Sequence, residues 1–212
     1  MTQFTYMFDP LCGWCYGAGA GLDRLRGLPG VTVRVVPTGL FAWQQAIQLE
    51  RMRDHIRQAD TRIGHLTGRI FSAVYFDRVV MQPGGLVDSG PATLALSILE
   101  RRRPGHGIDL LRDIQKARYV DGRDVADPAV LAGLAEVHGL PMADFVAAFA
   151  DAGELHHARQ WAAQGQMLVD ATGARGVPTL LLHDAAGGPP RQVPSDFLYR
   201  DHERLNLLVQ AA

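Results

Sequence analysis

Cysteine is nearly absent from this chain: there are two in 212 residues, Cys12 and Cys15. So few rule out a disulfide framework and a four-thiolate zinc site. Long apolar runs are missing too. The longest, Phe145–Ala150, falls far short of the ~20 residues that span a bilayer. Nor does one sign of charge dominate, since 21 basic against 22 acidic residues leave a formal net charge of −1. Without a concentrated basic face the chain offers nothing for nucleic acid or an anionic membrane to bind. The one basic run, Arg101-Arg102-Arg103, reads as a solvated helix end. Met1-Thr2-Gln3 leads directly into Phe4-Thr5-Tyr6-Met7-Phe8, with no basic and then apolar leader, which predicts a protein that stays in the cytoplasm.

What remains is the composition of an ordinary globular chain. At 47% hydrophobic and 20% charged, it can bury a sizeable core without help from a metal or a disulfide. Its length suits one large domain or one domain with an insertion, at roughly 100–200 residues per domain.

Both cysteines fall in Cys12-Gly13-Trp14-Cys15. Ahead of them, Phe4–Phe8 alternates as a strand and Asp9-Pro10-Leu11 makes a turn. Behind them, Tyr16, Ala18, Ala20, Leu22 and Leu25 predict a helix ending near Gly27, and Val31, Val33 and Val35 predict a second strand. Cys12 therefore sits at a helix N-terminus, where unpaired N–H groups and the dipole favour thiolate. Cys15, one turn deeper, is shielded yet close enough to form a disulfide. That asymmetry suits a nucleophile, Cys12, and a resolving thiol, Cys15. A zinc site would need two more ligands, and adjacent His156 and His157 point about 100° apart on a helix. No metal is expected.

At these residues the chain resembles the thioredoxin superfamily, and more closely its DsbA-like branch. The run from Phe8 to Gly17 looks like a cytosolic DsbA-like subgroup described as predicted disulfide isomerases. Arg175-Gly176-Val177-Pro178-Thr179, just before Leu180-Leu181-Leu182, is similar to the Gly-Val-Pro-Thr of this fold, whose proline is cis and faces the CxxC. Arg118–Pro128 is similar to a segment in the helical region of DsbA-like proteins. The resemblance implies an α/β thioredoxin fold made of residues 1–39 and 173–212, with an all-helical insertion at 40–172. It also implies a thiol–disulfide oxidoreductase or disulfide isomerase acting on protein or small-molecule disulfides. No cofactor would be bound, and the Cys12–Cys15 pair would be recycled by glutathione or another thiol. Trp14, Val177 and Pro178 would contact substrate, with the Val177 backbone free to pair with an extended chain.

Two departures shape that expectation. Gly13-Trp14 between the cysteines lacks the histidine of the strongly oxidising periplasmic member, so a less oxidising pair is expected. The strand Phe4–Phe8 carries no acid, which leaves proton transfer to Asp9 or water. Kappa-class glutathione transferases and 2-hydroxychromene-2-carboxylate isomerases share the architecture but generally carry serine at the active-site position. A glutathione-dependent transferase or isomerase is the alternative reading.

From Pro37 to the proline loop the pattern is almost wholly helical. Ser89 and Asp127 precede prolines as caps, and His138-Gly139 and Gly173 read as helix stops. Apolar stripes run through Leu94-Ala95-Ile98-Leu99, Leu110-Ile114-Ala117, Val130-Leu131-Leu134-Val137, Phe145-Phe149 and Leu155-Ala158-Ala162-Val169. A turn over Asp184–Pro190 leads to a short strand at Arg191–Val193 and one last helix capped by Ser195. The small residues from Gly17 to Gly21 let the first helix lie close on the sheet. Trp43, Tyr75, Phe76 and Tyr119 are candidate groove aromatics, Arg175 reads as a surface residue, and His106 and His183 show no partner.

Overall fold

The computed structural model describes residues 1–184 and 187–210, so Ala185 and Ala186 of the predicted turn lie outside the described residues. β1 (Thr2–Phe8) is buried on both faces, with Thr5 and Met7 as enclosed as Phe4, Tyr6 and Phe8. The reason is its place inside a four-stranded sheet of order β2-β1-β5-β6. α1 (Gly13–Gly17) and α2 (Gly19–Arg26) cross over to β2 (Val31–Pro37), which runs parallel to β1. The single predicted helix is thus two, jointed at Ala18, where ψ has opened to −10°. Ala20, on the predicted apolar stripe, faces solvent.

The small residues of this helix serve a different neighbour from the one expected. A Cβ on Gly21 would meet the backbone of Leu198 at 2.5–2.8 Å, and one on Gly17 would meet Ile63 at 2.7 Å. They admit other helices rather than the sheet.

The inserted segment opens with β3 (Ile47–Gln48) and α3 (Leu49–Thr67), followed by α4 (Ala73–Tyr75) and a π-turn at Phe76–Val80. β4 (Leu86–Val87) pairs antiparallel with β3. This ribbon is the exception in an otherwise helical insertion; two residues a side are too few to show a period. α5 (Gly90–Arg102) is the core of the insertion, buried continuously from Ala92 to Leu99. Around it lie α6 (Gly107–Tyr119), α7 (Pro128–Val137), α8 (Met142–Phe149) and α9 (Ala152–Thr172). Asp127 caps α7 as predicted, its carboxylate accepting the Ala129 N–H at 2.8 Å. Gly139 and Gly173 take the left-handed conformation that ends a helix. Val137 departs from its stripe and is 76% exposed. The arginine run does end α5, but Arg101 and Arg102 also reach Glu154 at 3.4 and 3.1 Å, clasping α5 to the start of α9.

After the insertion, β5 (Thr179–Leu182) returns antiparallel to β1, and β6 (Arg191–Val193) pairs antiparallel with β5. The predicted last helix is split into α10 (Asp196–Tyr199) and α11 (Glu203–Gln210), and the Ser195 hydroxyl makes no cap. This is the expected α/β order, with the helical block between the second and third strands of the sheet. Among the described residues no helix is long and apolar enough to cross a membrane.

α9 meets the sheet at one close approach, where a Cβ on Gly165 would collide with the carbonyl of Pro37 at the end of β2. On propensity alone, Gly165→Ala would stabilise a helix by ~1 kcal/mol. Here the overpacking dominates, and a net loss of about 1–3 kcal/mol is expected. Urea unfolding of the variant reads the sign directly.

Candidate functional site

The site begins where β1 ends. Asp9 is fully buried, and its carboxylate accepts three hydrogen bonds: from the Leu11 N–H at 2.9 Å, the Phe41 N–H at 3.2 Å and the Ser89 hydroxyl at 2.7 Å. Ser89 stands at the N-terminus of α5 as predicted, but its side chain serves Asp9 rather than its own helix. Burial raises the Asp9 pKa, and the three hydrogen bonds together with the Arg118 charge hold it back. The carboxylate fixes the turn that delivers Cys12 to the N-cap of α1, in extended conformation at φ −80° and ψ 117°.

Both cysteines are free thiols. Cys12 is 7% exposed and Cys15 only 1%. Burial, reinforced by the neighbouring Cys12, raises the Cys15 thiol well above its ordinary value. Cys15 therefore stays protonated at neutral pH. The backbone behind it is pinned by the Tyr6 hydroxyl, which donates to the Cys15 carbonyl at 3.3 Å.

The proline loop meets Cys12 from the head of β5, the strand paired beside β1. Val177–Pro178 is a cis peptide, and the Cys12 thiol points at the Val177 carbonyl, 3.7 Å from Sγ to oxygen. Gly176, Val177, Pro178, Thr179, Pro194 and Tyr199 line an open groove on this side. Trp14 lies tilted against Tyr199 with ring centroids 5.4 Å apart, and the Arg62 guanidinium covers it at 5.8 Å. The structure thus brings together Cys12, Cys15, Trp14, Val177 and Pro178. Arg175 is exposed at the rim of the groove.

Cys12, Gly13 and Trp14 also line a cavity of about 90 Å³, whose polar lining includes Asp60, Tyr75, Arg118 and Tyr119. Asp60 was not visible as a site residue in the sequence. It stands beside the apolar stripe of α3 (Leu49, Met52, Ile56, Ile63 and Leu66), as one acid among the many charged residues of that helix. Its Oδ1 would lie 2.7 Å from a Cβ on Gly13, so the position after Cys12 has no room for a side chain. The Tyr75 hydroxyl donates to Asp60 at 3.1 Å, while the Tyr119 hydroxyl donates to the Leu11 carbonyl at 2.7 Å. Burial raises Asp60 to about 7 against the opposing hydrogen bond and the Arg118 charge. Of the four candidate aromatics, only Tyr75 and Tyr119 line this cavity; Trp43 lies beneath Arg159 and Phe76 packs on Tyr75. His183 does have a partner, Thr5 Oγ1, at 2.8 Å. Among the described residues no three His, Cys, Asp or Glu side chains gather as a possible metal site.

No protein-family model and no curated protein matches the chain. Solved structures do. The cytosolic disulfide reductase DsbM from Pseudomonas aeruginosa shares 30% identity at a TM-score of 0.85, covering 99% of this chain and 100% of that one. A second structure of that protein, with GSH (glutathione), superposes at a TM-score of 0.83 and 29% identity, over 99% of this chain and 98% of that one. A Nitrosomonas europaea protein, named provisionally as a protein disulfide isomerase, shares 25% identity at 0.80, over 99% and 96% of the two chains. A 2-hydroxychromene-2-carboxylate isomerase, at 15% identity and a TM-score of 0.62 over 99% and 97%, shares the fold.

The raised pKa of Asp60 makes stability depend on pH. A carboxyl whose folded pKa exceeds its unfolded one favours folding fully below the unfolded value, and that benefit is lost as pH rises through the folded value. For Asp60 the window runs from 3.8 to about 7, and the loss amounts to at most about 4 kcal/mol. Asp60→Asn removes the titration and keeps an acceptor for Tyr75. Urea midpoints measured between pH 4 and pH 8 should show the variant gaining on the wild type as pH rises.

Proposed function

This chain belongs to the DsbA-like branch of the thioredoxin superfamily, and from that premise we propose that it is a disulfide reductase in which Cys12 attacks and Cys15 resolves. Its activity is thiol–disulfide exchange. The observation that carries the division of labour is the asymmetry of the pair: Cys12 lies against the Val177 carbonyl of the proline loop and lines the cavity, while Cys15 is sealed behind it.

The Cys12 thiolate attacks one sulfur of a substrate disulfide, forming a mixed disulfide and releasing the first substrate thiolate. Cys15, held protonated until then, attacks the Cys12 sulfur as its proton passes to the departing substrate thiolate. The second substrate thiolate leaves, and the Cys12–Cys15 disulfide carries the two electrons' worth of oxidation. A protein substrate lies extended along the groove, pairing with the backbone at Val177 and covering Pro178 and Trp14. The reductive direction is favoured by Gly13-Trp14, which offers the Cys12 thiolate no histidine donor. The similarity to a cytosolic disulfide reductase supports the same direction and a cytoplasmic setting, and the structure of that protein with glutathione supports recycling by glutathione.

Equilibration with glutathione buffers, followed through Trp14 fluorescence, tests the direction. A reductase gives a potential near ~−270 mV, and a value near ~−120 mV would make the protein an oxidant instead.

Substitution tests the roles. Cys12→Ser should abolish disulfide turnover. Cys15→Ser should stop turnover after the first exchange and accumulate a Cys12 mixed disulfide visible in intact mass. A glutathione transferase or isomerase would keep its activity in Cys15→Ser, and that outcome would reverse the assignment.

A further inference from the structure

We infer that Asp60 is linked to the redox state of the cysteine pair: it takes up a proton when the Cys12–Cys15 bond is reduced and returns it when the bond re-forms. The inference rests on the exchange chemistry proposed for Cys12 and concerns where its protons go. Asp60 is only 4% exposed and lines the same cavity of about 90 Å³ as Cys12. Its Oδ1 stands against Gly13, 2.7 Å from where a Cβ would be, so the carboxyl lies beside the residue that follows the nucleophile. A space this small holds little water to screen one charge from the other.

The other titratable or charged groups lining the cavity are Tyr75 of α4, Arg118 and Tyr119 of α6, and His55, exposed on α3 itself. Arg118 is buried, and its charge acts on Asp9 as well as on Asp60. One cation thus serves two buried carboxyl groups, and a thiolate at Cys12 adds another negative charge. Asp9 keeps its charge because three donors hold it. Asp60 accepts a hydrogen bond from the Tyr75 hydroxyl alone among the described residues, so protonating it costs the least. With both cysteines free it titrates at about 7, where the gain or loss of one neighbouring charge decides its state. In the disulfide, Cys12 carries no charge and Asp60 ionises.

When a dithiol reduces the pair, its two electrons break the Cys12–Cys15 bond and the donor closes to a disulfide. Of the donor's two protons, one goes to Cys15 and the other to Asp60, leaving Cys12 as the thiolate. Oxidation of the pair by a substrate disulfide reverses both transfers. Reducing power therefore depends on pH through Asp60. At low pH the carboxyl is neutral in both redox states and has no influence. At high pH the carboxylate opposes the Cys12 thiolate, which disfavours the reduced state and makes the pair a stronger reductant.

Equilibration with dithiothreitol from about pH 5 to about pH 9, for wild type and Asp60→Asn in the same buffers, isolates this effect, because titration of the reagent cancels in the ratio of the two constants. The constant for reducing the wild type, divided by that for Asp60→Asn, should fall at least about tenfold as pH rises. A ratio that stays within about twofold would overturn the inference. The reduced-minus-oxidised infrared spectrum reads the proton itself: at neutral pH the wild type should gain a protonated carboxyl band that Asp60→Asn lacks. Should Asp60→Asn fail to fold, Tyr75→Phe decides. It removes the hydrogen bond that favours the carboxylate, so the band should persist to higher pH than in the wild type, and an unmoved band counts against Asp60. Absence of any reversible cysteine couple defeats the exchange mechanism and this inference with it, whereas a reversible couple with a flat ratio overturns this inference alone.

Discussion

One buried carboxylate holds the site together. Asp9 gathers three parts of the chain that are far apart in sequence: the turn leading into Cys12, the start of the insertion at Phe41 and the N-terminus of α5 at Ser89. An unsatisfied carboxylate at this depth would be prohibitive, and each of the three donors is what makes its burial tolerable. The consequence is geometric. The sheet and the insertion cannot shift relative to each other at Cys12 without breaking a charge-assisted hydrogen bond. The absence of an acid within β1 is therefore not a vacancy in the design. The acid stands one residue beyond the strand, where it braces the loop that carries the nucleophile.

Around that brace the two cysteines acquire unequal surroundings. Cys15 sits against the sheet, with Tyr6 behind it and desolvation holding its proton. Cys12 lies at the meeting of three walls: the cis Val177–Pro178 loop, Trp14 packed on Tyr199, and the cavity between α3 and α6. Exchange chemistry uses this inequality: the outer sulfur meets the substrate disulfide, while the buried thiol reaches only the Cys12 sulfur and so resolves the mixed disulfide. The helical insertion supplies one whole wall of the site, through Asp60, Tyr75, Arg118 and Tyr119. It is thus more than a cover on the sheet.

The legible parts of this architecture are those written in local spacing. Strand, CxxC and helix follow one another within the first 26 residues, and Asp127-Pro128, Gly139 and Gly173 mark helix ends by rules that involve a single turn of chain. Where expectation and structure diverge, the cause is a distant neighbour. Gly21 is small because Leu198 of α10 passes over it, and the Ser89 hydroxyl leaves its own helix because Asp9 is nearby. The β3–β4 ribbon is too short to announce itself, and Asp60 is one acid among the many charges of α3 until the fold buries it.

By itself, then, the sequence determined the redox chemistry and the order of the fold. Two cysteines at a strand-to-helix junction and a Val-Pro at the head of a later strand are patterns of covalent spacing, which no tertiary contact needs to complete. Tertiary structure alone decided the electrostatics. That Asp60 holds its proton to about 7, that Cys15 holds its proton and that the Arg118 charge acts on both Asp9 and Asp60 all depend on desolvation and on charges brought from other elements. Burial belongs to the assembled core, and no single segment of the chain contains it.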